Sequence, residues 1–110
     1  MPQPTSSTRA PGRIIAAIES VAREAYVPEN EREAAYVNVP LPIGYGQTIS
    51  QPFIVALMTD LLDLKPGDKV LEIGTGCGYQ AAVLSLLADE VYSIERLRGL
   101  HDKARENLRH

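Results

Sequence analysis

The chain has 110 residues, 45% of them hydrophobic and 23% charged, with one cysteine and a formal net charge of −3. That length suits one small domain, and a lone cysteine excludes an internal disulfide framework or a cysteine-rich zinc site. The acidic balance, with a pI near 5.3, argues against holding nucleic acid or an anionic membrane by bulk charge. No apolar run approaches the ~18 residues of a membrane span, and Met1–Gly12 has no apolar signal core, so a soluble, cytoplasmic protein is expected.

Residues 1–12 are rich in Pro, Ser and Thr and read as a flexible tail. From Arg13 to Ala25, Ile14, Ile15, Ile18, Val21 and Ala22 make a helical apolar stripe, which Pro28 ends. Glu29–Glu33 is a charged, solvated stretch. Tyr36–Gln51 holds two prolines and two glycines within seven positions, so it is neither a regular helix nor a central strand. It is nevertheless apolar and aromatic, and an ordered irregular segment of that kind is often functional. Ser50 and Pro52 have the chemistry of a helix start, which makes an N-cap the simplest reading of Ser50. That helix runs to about Asp63, followed by a turn at Lys65–Asp68.

Lys69–Gly74 is a short apolar run after a turn, and is expected to be a buried strand. Gly74–Gly78 is a glycine loop, Tyr79–Ala88 a helix, and Glu90–Glu95 a second strand of alternating pattern. Leu97, Leu100, Ala104 and Leu108 mark a last helix. The order strand, glycine loop, helix, strand, helix is a βαβ unit. Two parallel strands make a marginal sheet, so the expectation is the first half of a larger α/β domain.

The loop carries the strongest chemical signal. Its glycines, Gly74, Gly76 and Gly78, allow a sharp turn and close approach of a ligand. Glu95 lies at the end of the second strand, where a carboxylate can accept from both hydroxyls of a ribose. The spacing G-x-G-x-G departs from the dinucleotide fingerprint, whose third glycine comes one residue later. Glu72, two residues before the first glycine, suits a ligand with a cationic amino-acid part better than one with a pyrophosphate. Together these favour S-adenosylmethionine over NAD. A tight turn without any ligand is the plainer alternative.

Two segments, LPIGYGQTISQP (Leu41–Pro52) and VLEIGTGCGYQAAVL (Val70–Leu84), followed by VYSIER (Val91–Arg96), resemble the protein-L-isoaspartate O-methyltransferases. The first segment is close to diagnostic for that family, and the second is the first motif of class I methyltransferases at large. The resemblance covers residues 14–110. It implies a Rossmann-like class I methyltransferase sheet, of which this chain holds the first half, preceded by an N-terminal helical and loop region. It implies S-adenosylmethionine as cofactor, bound by Glu72, Gly74, Thr75, Gly76, Gly78 and Glu95. It implies Ser50 as the residue assigned as catalytic, with Thr48, Ile49 and Gln51 shaping the substrate pocket. Cys77 stands where relatives often have serine.

The implied substrate is the free α-carboxylate of an L-isoaspartyl residue in a damaged protein. That group is ionised at neutral pH and needs no general base. Ser50 would then orient it by a hydrogen bond, and no base beside Ser50 in sequence supports a hydrolase nucleophile. No metal, nucleic acid or membrane partner is expected, and a monomer is. Tyr45 and Tyr79 either line the pocket or simply pack, Cys77 fills space in the loop, and His101 and His110 read as exposed. Family members continue past this length, with further strands and an adenine-contacting motif. Two other readings stay open: a non-catalytic cofactor-binding module completed by another chain, and a nucleotide-binding domain of the NAD type.

Overall fold

The computed structural model describes residues 11–109. The expected tail falls mostly outside them, but Pro11 and Gly12 already belong to helix α1 (Pro11–Ser20). This helix is shorter than the stripe suggested. Ile15 faces outward at 55% exposure and Ala22 is exposed, whereas Ala17 and Val21 are buried. The buried stripe is therefore Ala17 and Val21, with Ile14 and Ile18 packed against it. A 3-10 turn, Arg23–Tyr26, replaces the expected end of the helix, and a second one, Glu29–Ala34, forms the charged stretch.

The proline- and glycine-rich segment is a small antiparallel hairpin, not an irregular loop. Strands β1 (Leu41–Gly44) and β2 (Gln47–Ile49) pair Leu41 with Ile49 and Pro42 with Thr48, with a register shift before Gly44. A two-stranded hairpin with a bulge has edge positions where proline loses no ladder bond. Its two-residue tip, Tyr45 and Gly46, has positive φ at both positions, 59° and 71°, the conformation that matches strand twist. The Tyr45 ring lies on the backbone of Gly99, where an added Cβ would overlap the Tyr45 ring and hydroxyl. Glycine at 99 thus lets the hairpin tip rest on the last helix.

Helix α2 (Pro52–Leu62) follows. Its N-cap is Gln51, not Ser50 as the sequence suggested, and no capping-residue side chain bonds to the helix. Instead Phe53 N–H donates to Asn38 Oδ1 at 2.9 Å, so the cap comes from 15 residues upstream. Asp63, in the left-handed region at φ 50°, stops the helix.

Strands β3 (Lys69–Ile73) and β4 (Glu90–Ile94) pair in parallel, in register from Lys69 opposite Glu90 to Ile73 opposite Ile94. Helix α3 (Tyr79–Ser85), shorter than expected, joins them, and α4 (Arg98–Asn107) follows. The βαβ expectation holds. The expectation of a buried β3 does not: Leu71 is 60% and Ile73 74% exposed, and their partners Tyr92 and Ile94 are each 55% exposed. One face of this sheet stays open. The core lies on the other side, where the fully buried Val83 of α3 and Leu100 of α4 join the hairpin's Leu41, Ile43 and Ile49. Arg13 ties this layer together by donating to Leu64 O at 3.1 Å and Leu87 O at 3.3 Å. No helix among the described residues is long and apolar enough to cross a membrane.

Candidate functional site

A cavity of about 370 Å³ opens between the hairpin, α2 and the C-terminal end of β3. The hairpin contributes Thr48, Ile49 and Ser50 to its wall, and the strand end contributes Glu72, Gly74 and Thr75. Two segments that are 22 residues apart in sequence, at Ser50 and Glu72, thereby face one space. Tyr79 and Cys77 complete its floor, with Met58 and Gln80 beside them. Gly76, Gly78, Glu95 and Gln51 do not line this cavity. Nor does Tyr45, which borders a separate hollow along α4.

The glycine loop is held from within. Gly74 and Thr75 N–H both donate to Ile94 O, at 2.7 and 3.2 Å, and Gly78 N–H to Thr75 O at 3.0 Å. Gly76 N–H donates to Glu95 Oε1 at 2.8 Å, while the other oxygen of Glu95 accepts from Leu97 N–H at 2.8 Å. These two backbone bonds hold the Glu95 carboxyl below its ordinary range. Each oxygen keeps further acceptor capacity, so the side chain can still take a hydroxyl from outside. With four loop N–H groups engaged internally, the loop does not offer the row of free donors that a pyrophosphate needs. The N–H groups of Gly74, Thr75 and Gly76 instead join the end of β3 to Ile94 and Glu95 at the end of β4.

Glu72 lies across the sheet from Ser93, which donates to Glu72 Oε1 at 2.6 Å, and Ser93 Oγ lies 2.5 Å from Thr75 Oγ1. Partial burial pushes the Glu72 carboxyl up, the Ser93 bond opposes this, and the charge of Glu95 adds to the rise. Two carboxylates near one loop repel an anion and attract a cation. The three glycines have distinct uses. Gly74, at φ 91°, borders open space. At Gly76 a Cβ would touch Ile43 at 3.4 Å, and at Gly78 it would meet Leu108 at 3.1 Å. Gly78 is thus a packing glycine between α3 and α4, and Gly74 is the one open to a ligand.

Ser50 is exposed at the mouth of the cavity. Its main-chain carbonyl accepts from Arg23 Nη2 at 2.8 Å. Arg23 is only 1% exposed, also donates from Nε to Ala35 O at 2.5 Å, and its guanidinium carbon lies 5.1 Å from the centre of the Tyr79 ring. Tyr26 meets the same ring edge-on at 5.8 Å. Burial pushes the Tyr79 phenol up, and burial likewise raises the Cys77 thiol, so neither is an activated nucleophile. Among the described residues no group of His, Cys, Asp and Glu could hold a metal ion.

Sequence reasoning passed over Arg23, Asn38 and Ser93. Arg23 and Asn38 carry no local signal, because each acts on a residue 15 or more positions away. Ser93 was within reach: aligning the two strands in parallel register places it opposite Glu72.

The family of protein-L-isoaspartate(D-aspartate) O-methyltransferases matches residues 6–110. A protein-L-isoaspartate O-methyltransferase of Methanoculleus marisnigri is 56% identical over 96 residues, covering 87% of this chain and 44% of that protein. One of Marinobacter nauticus is 59% identical over 97 residues, covering 88% and 44%. The chain therefore spans less than half the length of these relatives. The crystal structure of a Plasmodium falciparum protein assigned as a protein-L-isoaspartate O-methyltransferase, in complex with S-adenosyl-L-homocysteine, superposes with a TM-score of 0.77 at 27% identity, covering 88% of this chain and 47% of that one. The sheet and its two flanking helices are thus the first half of a Rossmann-like methyltransferase fold, and the chain belongs to the protein-L-isoaspartate O-methyltransferase family.

Proposed function

We propose that this protein transfers the methyl group of S-adenosylmethionine to the free α-carboxylate of L-isoaspartyl residues in damaged proteins, in the cytoplasm. The observation that carries the reading is the single cavity that faces Ser50, Thr48 and Ile49 on one side and Glu72, Gly74 and Thr75 on the other.

The residues present fit the cofactor. Gly74 leaves room at the strand end, Glu72 and Glu95 favour a cationic ligand, and Glu95 keeps acceptor capacity for a ribose diol. The loop's internally satisfied N–H groups disfavour the NAD alternative. When bound, S-adenosylmethionine supplies an electrophilic methyl group on a sulfonium. The chain's part is placement and exclusion of water. The substrate carboxylate is already ionised at neutral pH, so no residue has to take a proton from it. Ser50 donates a hydrogen bond that aims one carboxylate oxygen at the methyl carbon. Ile43, Ile49 and Val55 make the wall around it apolar. The resulting methyl ester closes to a succinimide as the neighbouring main-chain nitrogen displaces methanol, and water then opens that ring to aspartyl and isoaspartyl forms.

The test is transfer of labelled methyl from S-adenosylmethionine to an isoaspartyl peptide and to its aspartyl twin. Label on the isoaspartyl peptide alone is expected. Equal labelling of the two peptides, or of neither, would overturn the reading.

A further inference from the structure

Arg23 is the one fully buried cation among the described residues, and no ion pair there includes it. Its side chain meets two main-chain carbonyls, Ala35 O and Ser50 O, and Tyr79, whose ring it faces and whose hydroxyl it approaches as a donor. Its remaining nitrogen, Nη1, is buried without a hydrogen-bond partner. A guanidinium removed from water, without a carboxylate beside it and with an unsatisfied donor, is costly to keep. An apolar side chain would fill the same space without that cost. The arrangement makes sense when the charge has work to do nearby. Both groups it touches on the far side, Ser50 and Tyr79, line the cavity. Only one wall thus separates a buried positive charge from the place where a carboxylate is expected.

Resting on the function proposed above, we infer that Arg23 is a positioning residue for substrate capture. Its Nη2 fixes the main chain at Ser50, which sets where the Ser50 hydroxyl stands. Its charge, held in no ion pair among the described residues, adds a positive potential on the Ser50 side of the cavity, opposite Glu72, that favours the substrate's carboxylate. In a site sheltered from water such a charge is weakly screened. Arg23 meets the cofactor half of the site, built on β3, β4 and the glycine loop, at the Tyr79 ring, whereas its two main-chain hydrogen bonds hold Ala35 and Ser50 on either side of the hairpin. Its effect is therefore expected on the peptide and not on S-adenosylmethionine.

The experiment compares wild type, Arg23→Lys and Arg23→Met in steady-state kinetics with both substrates varied. Arg23→Met is expected to lower kcat/KM for the isoaspartyl peptide by about 100-fold, while KM for S-adenosylmethionine stays within about twofold. Arg23→Lys keeps a charge and one donor, and is expected to recover about tenfold of that loss. Parallel losses toward both substrates, or no rescue by lysine, would overturn the inference in favour of a purely structural clamp. If the methionine variant does not fold, Arg23→Lys decides alone, with a loss of about tenfold for the peptide and none for the cofactor. A wild type that methylates neither peptide defeats the functional reading instead. In that case amide hydrogen exchange decides about Arg23 without any substrate. Arg23→Lys should speed exchange at residues 47–51 by about tenfold and leave residues 70–84 unchanged. Uniform change, or none, would overturn the inference.

Discussion

Ser50 is divided between two duties. Its carbonyl is held by Arg23, and its side chain plays no part in starting α2, whose cap is Gln51 with support from Asn38. Ser50→Ala should therefore leave folding stability within about 0.5 kcal/mol, the range of a surface change away from any structural feature. It should lower methyl transfer by about 10- to 100-fold, the effect of losing one hydrogen bond to a charged group. Cofactor affinity should stay within about twofold. A thermal melt beside the transfer assay checks this, and equal loss of stability and activity would return Ser50 to the role of a cap. Glu72 and Glu95 make opposite pH predictions. Glu72 is pushed up by partial burial, so the folded state holds its proton more tightly, and stability falls as pH rises from the ordinary carboxylate value through the raised one. Glu95 is pulled down by two backbone bonds, so its contribution is present above the ordinary value and is lost as pH falls through the lowered one. Glu72→Gln should thus be more stable than wild type at neutral pH, and the gap should close in acid. Denaturant melts at several pH values measure this, and a gap that grows in acid would contradict it.

At the scale of elements, what starts α2 and what opens its path to the site are contacts from elsewhere in the chain. Asn38 Oδ1 accepts the Phe53 N–H, an otherwise unpaired donor in the first turn. Asn38→Ala should cost about 1 kcal/mol, as loss of a cap does, and should loosen the first turn of α2 next to Ser50. Chemical denaturation gives the cost, and no change would mean that water replaces the cap. The hairpin illustrates how far the pattern of residues could be read. Pro40, Pro42, Gly44 and Gly46 announce an ordered, non-helical segment, yet nothing local shows that Gly44–Gln47 turns the chain back on itself. That pairing is stabilised by burying Leu41, Ile43 and Ile49 in the one core they share with Val83 and Leu100, far along the sequence. The βαβ unit was legible in full order because its signals are local: an apolar run, a glycine turn, and a helical repeat.

Over the whole molecule, burial is one-sided. Val83 and Leu100 are almost entirely enclosed, whereas Phe53, Met58, Leu61, Leu71, Ile73 and Ile94 are more than half exposed. Substitutions on the two sides should differ accordingly. Leu100→Ala should cost about 2–5 kcal/mol through lost transfer energy and a residual cavity. Ile73→Ser should change stability by no more than about 0.5 kcal/mol, since its side chain gives up little contact. Equilibrium unfolding of the two variants checks the contrast. A large loss at Ile73 would show that the open sheet face is covered in solution.

The sequence by itself determined the family and the parallel βαβ order, because each depends on residues near one another in the chain. It also determined the chemistry available, since the hydroxyl of Ser50 and the two acidic side chains are present in any fold. Only the tertiary structure decided that Ser50 is not the cap of α2, that Gly78 packs against Leu108, and that the loop donors are spent on Ile94 and Glu95. It alone decided that Arg23 lies buried behind Ser50. The reason is physical. A hydrogen bond or a burial depends on which distant segments meet, and that is fixed by packing of the whole core and not by any short stretch of residues.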